Sequence, residues 1–165
     1  YLSVYLETIT HISGKAISVM LVVFGAASII GNIVAGKLLT KSAMKTVVTY
    51  PFALGVVYII LFLLGQFTVP MALITLIFGI LFSVGNNICQ YWITSAAPEA
   101  PEFANGLFLT SGNLGVTIGT SISGLFISGM GTQYIVLGGL LFLVLSFVFI
   151  LMRKYRYSPK KQLSK

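Results

Sequence analysis

A chain of 165 residues, 57% hydrophobic and only 8% charged, has too little charge to cover a soluble surface; soluble domains average about 25% charged residues. The net charge of +7 comes from cations gathered outside the apolar segments, not from a basic stripe with interleaved aromatics, which argues against a nucleic-acid partner. With one cysteine, Cys89, and one histidine, His11, neither an intrachain disulfide nor an HExxH-type metal cluster can form, and no metal or cofactor is expected.

The opening residues, YLSVYLET (1–8), read as the end of a span whose beginning precedes them, so the chain is expected to be part of a longer protein. Five apolar stretches follow, at 16–36, 47–64, 71–93, 103–128 and 134–152, and none contains Lys, Arg, Asp, Glu or His. A hydrocarbon core about 30 Å thick is crossed by ~20 residues of helix. The expected architecture is therefore an all-α membrane bundle over residues 1–152, followed by a basic tail at 153–165. Cys89, inside the third span, reads as a small packed hydrophobe.

Charge sets the topology. Lys37, Lys41 and Lys45 lie between the first two spans, and Arg153, Lys154, Arg156, Lys160, Lys161 and Lys165 lie after the last. An even number of crossings separates the two clusters, so both fall on one face, which the positive-inside rule makes cytoplasmic. Only Lys15 falls on the opposite face. The segment Pro98-Glu99-Ala100-Pro101-Glu102 suits a loop feeding a helix, with Pro in the first turn and a carboxylate near the positive helix end.

The spans differ in polarity. The second and fifth are nearly pure hydrocarbon and read as peripheral. The first carries Ser28, Asn32 and Gly36 every four residues, on one face. The third carries Gly79, Ser83, Asn87, Gln90 and Thr94 in one stripe, and the fourth Thr110, Asn113, Thr117 and Ser121 in another. An unpaired amide in hydrocarbon costs a few kcal/mol, so such residues face other helices or a water-filled cavity. Asn32, Ser83, Asn87, Gln90, Asn113 and Thr117 are the candidate lining of a substrate pathway. Gly115, Gly119 and Gly124 are candidate helix-packing positions, Gly115 and Gly119 forming a GxxxG pair.

Three stretches resemble the C-terminal half of a major facilitator superfamily transporter, closest to the bacterial drug and sugar efflux branch. GNIVAGKLLTKSAMK (31–45) is similar to the family's loop motif G-x-L-A-D-R-x-G-R-R, with Gly36, Leu38, Lys41 and Lys45 matching and Thr40 in place of the acidic residue. QYWITSAAPEAPEFANGLFLTSGNLG (90–115) resembles the junction of the family's tenth and eleventh helices. Gly106, Gly115, Gly119 and Gly124 echo the spacing of its antiporter motif, with Thr120 where Pro would stand and Ser123 where Gly would. The resemblance implies a partial seventh helix and complete helices eight to twelve, of which the ninth and twelfth lie outside the cavity. It implies proton-coupled export of a small molecule such as a sugar or drug, from the cell's inner (plasma) membrane, by alternating access together with a missing N-terminal half. Gly36, Lys41 and Lys45 would then form a cytoplasmic loop motif.

Two other classes compete. A self-sufficient small channel or assembly subunit is the alternative. An intramembrane enzyme would need a buried base beside Ser121 or Ser123, and no complete span supplies one.

Overall fold

In the computed structural model, which describes residues 2–156, the chain forms five α-helices: α1 (Leu2–Thr8), α2 (Lys15–Leu64), α3 (Thr68–Thr94), α4 (Pro101–Gly129) and α5 (Ile135–Arg156). A 3-10 turn, Thr132–Tyr134, precedes α5. At 50 residues, α2 is about 75 Å long by helical rise, twice what one crossing needs. It is two spans, residues 15–41 and 43–64, divided at Ser42, whose backbone leaves the helical region (φ −165°, ψ 87°). The Thr46 hydroxyl donates to the carbonyls of Leu38 and Ser42 at 3.1 and 2.9 Å and so fastens the reversal. The loop expected around Gly36, Lys41 and Lys45 is thus a break of one residue. The helical ladder runs up to the turn on both sides, keeping backbone polar groups bonded.

Helix directions follow from side-chain pairs. Phe24 packs on Phe78 and Phe82, with ring centroids 6.1 and 5.5 Å apart, and Asn32 meets Ser83 and Asn87, so the first arm of α2 runs parallel to α3. In the second arm Tyr50 lies against Gly85 and Tyr58 against Phe78, which makes that arm antiparallel to α3. Phe52 meets Phe147 edge-on at 4.9 Å and Tyr58 covers Gly139, so α5 runs against the second arm. The α3–α4 hairpin follows from Gln90 facing Asn105, and α4 returns to α5 where Phe126 meets Gly138. Lys37, Lys41, Lys45 and Arg153 therefore share one end of the bundle and Lys15 the other. Lys160, Lys161 and Lys165 lie outside the described residues.

Two apolar clusters hold the bundle. One, near the Lys15 end, joins Tyr5, Leu6, Met20, Val57, Met71, Ile74 and Val136; the other, near the basic end, joins Ala35, Val47, Val84, Ile88 and Ile150. Glycines permit the close contact at the centre. A methyl group at Gly31 would lie 2.5 Å from the Ile80 carbonyl oxygen, and one at Gly79 would lie 2.6 Å from that of Phe24. Small residues admit this approach, and in lipid van der Waals packing takes over much of the role that water-driven burial has in soluble cores.

The α4 start obeys the sequence: Pro101 opens the helix and Glu102 sits in its first turn. At the other end Gly131 holds φ +106°, which glycine adopts without strain. By length and apolarity together, α2, α3 and residues 132–153 qualify as membrane-crossing. At 29 residues α4 has the length, but its Ser, Thr, Asn and Gly content leaves it outside that set. The α5 helix runs to Arg156, into what the sequence places in the tail. Cys89 is exposed, not packed as a core residue.

Candidate polar site between the helices

The clearest polar constellation joins three residues singled out by spacing. Ser83, buried on α3, donates from Oγ to Asn32 Oδ1 at 2.6 Å. Asn87, one turn further along α3, donates from Nδ2 to the same oxygen at 2.7 Å and to the Ser83 carbonyl at 2.8 Å. One turn before Asn32, Ser28 donates to the carbonyl of Gly79 at 3.3 Å, besides that of Phe24 at 3.0 Å. The i, i+4 rows of the first arm and of α3 thus lie against each other over Ser28–Gly79 and Asn32–Ser83–Asn87.

The bond inventory shows what remains open. Asn32 Oδ1 accepts twice and both hydrogens of Asn87 Nδ2 are engaged. Asn32 Nδ2 and Asn87 Oδ1 have no partner among the described residues. Asn32 is exposed and Asn87 half-buried, so the cluster presents an amide donor and an amide acceptor to its surroundings. No charged side chain takes part.

The remaining candidates are arranged differently. Gln90 Nε2 donates to Asn105 Oδ1 at 3.4 Å and links α3 to α4. Asn105 is a residue that stripe counting misses. The usable signal is symmetry about the turn: Gln90 stands four residues before the end of α3 and Asn105 four after the start of α4. Asn113 and Thr117 lie on α4, both exposed, with Thr117 Oγ1 donating to the Asn113 carbonyl at 2.9 Å. They form no hydrogen bond with the Asn32 cluster.

No described residue packs on Gly115 or Gly119: a methyl group at either would meet nothing within 4 Å. The reason is the position of α4, which touches α3 at its beginning and α5 at its end, with Ala104 its one buried residue. Gly124 is half-buried. Close helix packing falls instead to Gly31, Gly79 and Gly85. Gly36 stands in open space, and Lys41 and Lys45 are exposed on either side of Ser42. Among the described residues no three His, Cys, Asp or Glu side chains gather to hold a metal ion.

Comparison with known proteins gives this arrangement its context. An Escherichia coli (strain K12) inner membrane transport protein, YdhP, is 29% identical over 157 residues, which is 93% of this chain and 40% of that protein. A Pseudomonas aeruginosa protein named as the transcription regulatory protein OpdE is 27% identical over 133 residues, 81% of this chain and 33% of its own length. The chain thus spans well under half of either relative. No solved structure matches. The profile of the Major Facilitator Superfamily matches residues 1–165. With an all-helical bundle, apolar helices of membrane-crossing length and amides facing each other between them, the chain belongs to the Major Facilitator Superfamily.

Proposed function

We propose that this chain is the C-terminal half of a secondary transporter that exports a small molecule by alternating access, driven by protons. The observation that carries the reading is the Asn32–Ser83–Asn87 cluster, three uncharged polar groups on facing rows of two spans in a family of transporters. Substrate sites of such proteins lie between two halves near the bilayer midplane. An amide donor and acceptor left open there suit a neutral, hydroxylated ligand. Gln90, Asn113 and Thr117 line the same pathway further along α3 and on α4, and Gly115, Gly119 and Gly124 receive helices of the N-terminal half. Proton coupling calls for an acid or His within the membrane; the five complete spans carry neither, so the N-terminal half supplies it, with Glu7 at the start of this chain as the local alternative. The basic end faces the cytoplasm of the inner membrane. The chain works by binding and conformational change, without covalent chemistry.

Family membership and the likeness to an inner membrane transport protein favour this over a self-sufficient channel or assembly subunit. The test is export by cells carrying the intact gene, normalised to folded protein. Asn32→Ala and Asn87→Ala should each weaken substrate affinity several-fold, since losing one hydrogen bond costs about 0.5–1.5 kcal/mol. If both leave affinity and rate unchanged while Ser146→Ala on α5 lowers them, the pathway lies on the wrong helices.

A further inference from the structure

A second feature lies on the face of the first arm that carries Val34 and Leu38 and turns away from Asn32. Beside the Ser42 reversal a cavity of about 280 Å³ opens between the two arms of α2, floored by α3. Val34 and Leu38 of the first arm, Ala53 of the second, and Ile80 and Val84 of α3 give it an apolar lining. Lys45 and Thr49 also line it, and both are exposed. From residue 45 to residue 53 the second arm rises about 12 Å, the length of a good part of an acyl chain.

Charge and exposure identify the occupant. Lys37, Lys41 and Lys45 crowd the reversal, and Lys45 forms no ion pair among the described residues. Thr49 shares a helix face with Phe52 and Val56, which are 58% and 54% exposed. That face carries only hydrocarbon beyond Thr49, so the cavity opens beside a surface turned to lipid. An apolar slot of this kind with an ammonium at its rim, at the basic end of the bundle, fits a molecule with a fatty chain and an anionic head. A soluble anion would gain nothing from the slot, and a zwitterionic lipid would gain less from Lys45.

We propose that this groove is a binding site for an anionic phospholipid, with one acyl chain between the arms of α2 and the headgroup phosphate on Lys45, steadied by the Thr49 hydroxyl. Lys41 and Lys37 add to the local positive potential. The site is independent of the substrate pathway and stands whatever the protein exports.

The intact protein containing this chain, purified in mild detergent, is mixed with equal dioleoyl-phosphatidylglycerol and dioleoyl-phosphatidylcholine, and the retained lipids are counted by native mass spectrometry. The wild type should keep phosphatidylglycerol in preference. Lys45→Gln should cut its retention about fivefold, the effect of one basic side chain at an anionic surface, and leave phosphatidylcholine unchanged. Ala53→Phe should fill the slot and reduce both lipids, while Lys15→Gln at the other end should alter neither. Should Ala53→Phe fail to fold, Lys45→Gln decides alone. Equal retention by Lys45→Gln and wild type, absence of any phosphatidylglycerol preference, or displacement of the lipid by millimolar glycerol phosphate would each overturn the proposal, the last by revealing a soluble-anion site.

Discussion

Asn32 and Ser83 join two membrane spans through a single acceptor: the Ser83 hydroxyl reaches Asn32 Oδ1 at 2.6 Å, and Asn87 shares that oxygen at 2.7 Å. Their roles are unequal. Removing Ser83 leaves Asn32 one donor, whereas removing Asn32 takes the acceptor from both the Ser83 hydroxyl and one of the two Asn87 N–H groups. Asn32→Ala should therefore destabilise the protein more than Ser83→Ala. A double-mutant cycle on thermal unfolding in detergent should return a coupling of about 0.6 kcal/mol, the average for such contacts in membranes. Additive single effects would mean that the bond carries no stability.

The glycines divide into two classes. Gly31→Ala and Gly79→Ala force a methyl group against backbone on the facing helix, and overpacking of this kind costs about 1–3 kcal/mol. At Gly25 and Gly36 an added methyl meets nothing within 4 Å, so Gly25→Ala and Gly36→Ala should cost nothing and raise stability by up to about 1 kcal/mol, since alanine favours the helix over glycine. Size-exclusion profiles after graded heating separate the classes. Equal losses at all four positions would contradict the packing described.

Thr75 presents the reverse case. It is 0% exposed, and its Oγ1 has no hydrogen-bond partner among the described residues. Valine has the same shape without the polar atom, so Thr75→Val should stabilise the protein by about 1 kcal/mol. A lower unfolding temperature for the variant would show that the hydroxyl has a partner in the membrane.

Topology is checked by labelling. In a Cys89→Ser background, Met130→Cys should react with an impermeant maleimide from outside intact cells, and Ser95→Cys only after permeabilisation. Both residues are exposed, at opposite ends of the bundle. The reverse pattern would invert the orientation proposed here.

Much of this was legible in the sequence because the bilayer writes simple rules into a chain. The uncharged runs coincide with helices, although α4 is too polar to join the membrane-crossing set, and an i, i+4 row of polar residues on the first and third spans picks out Asn32, Ser83 and Asn87, which hydrogen-bond to one another. Spacing along one helix says nothing about rotation against the next, so Asn113 and Thr117 share a face with each other and no bond with the cluster. Gly115 and Gly119 match a packing motif, but a motif does not name the surface that fills it, and none of the described residues does. Asn105 was missed because a lone amide near a helix start belongs to no stripe. The reversal at Ser42 was hidden because a lysine-rich segment between two spans reads as a loop, whereas the helical ladder persists almost to the turning residue.

That reversal also limits how the protein can vary. With Ser42 alone separating the arms of α2, the joint has no slack. One inserted residue would turn everything after it by about 100° about the helix axis, carrying Tyr50 off Gly85 and Phe52 off Phe147. The segment at 95–100 between α3 and α4 bears no such constraint. Epitope tags and length polymorphism should be tolerated there and rejected at Ser42.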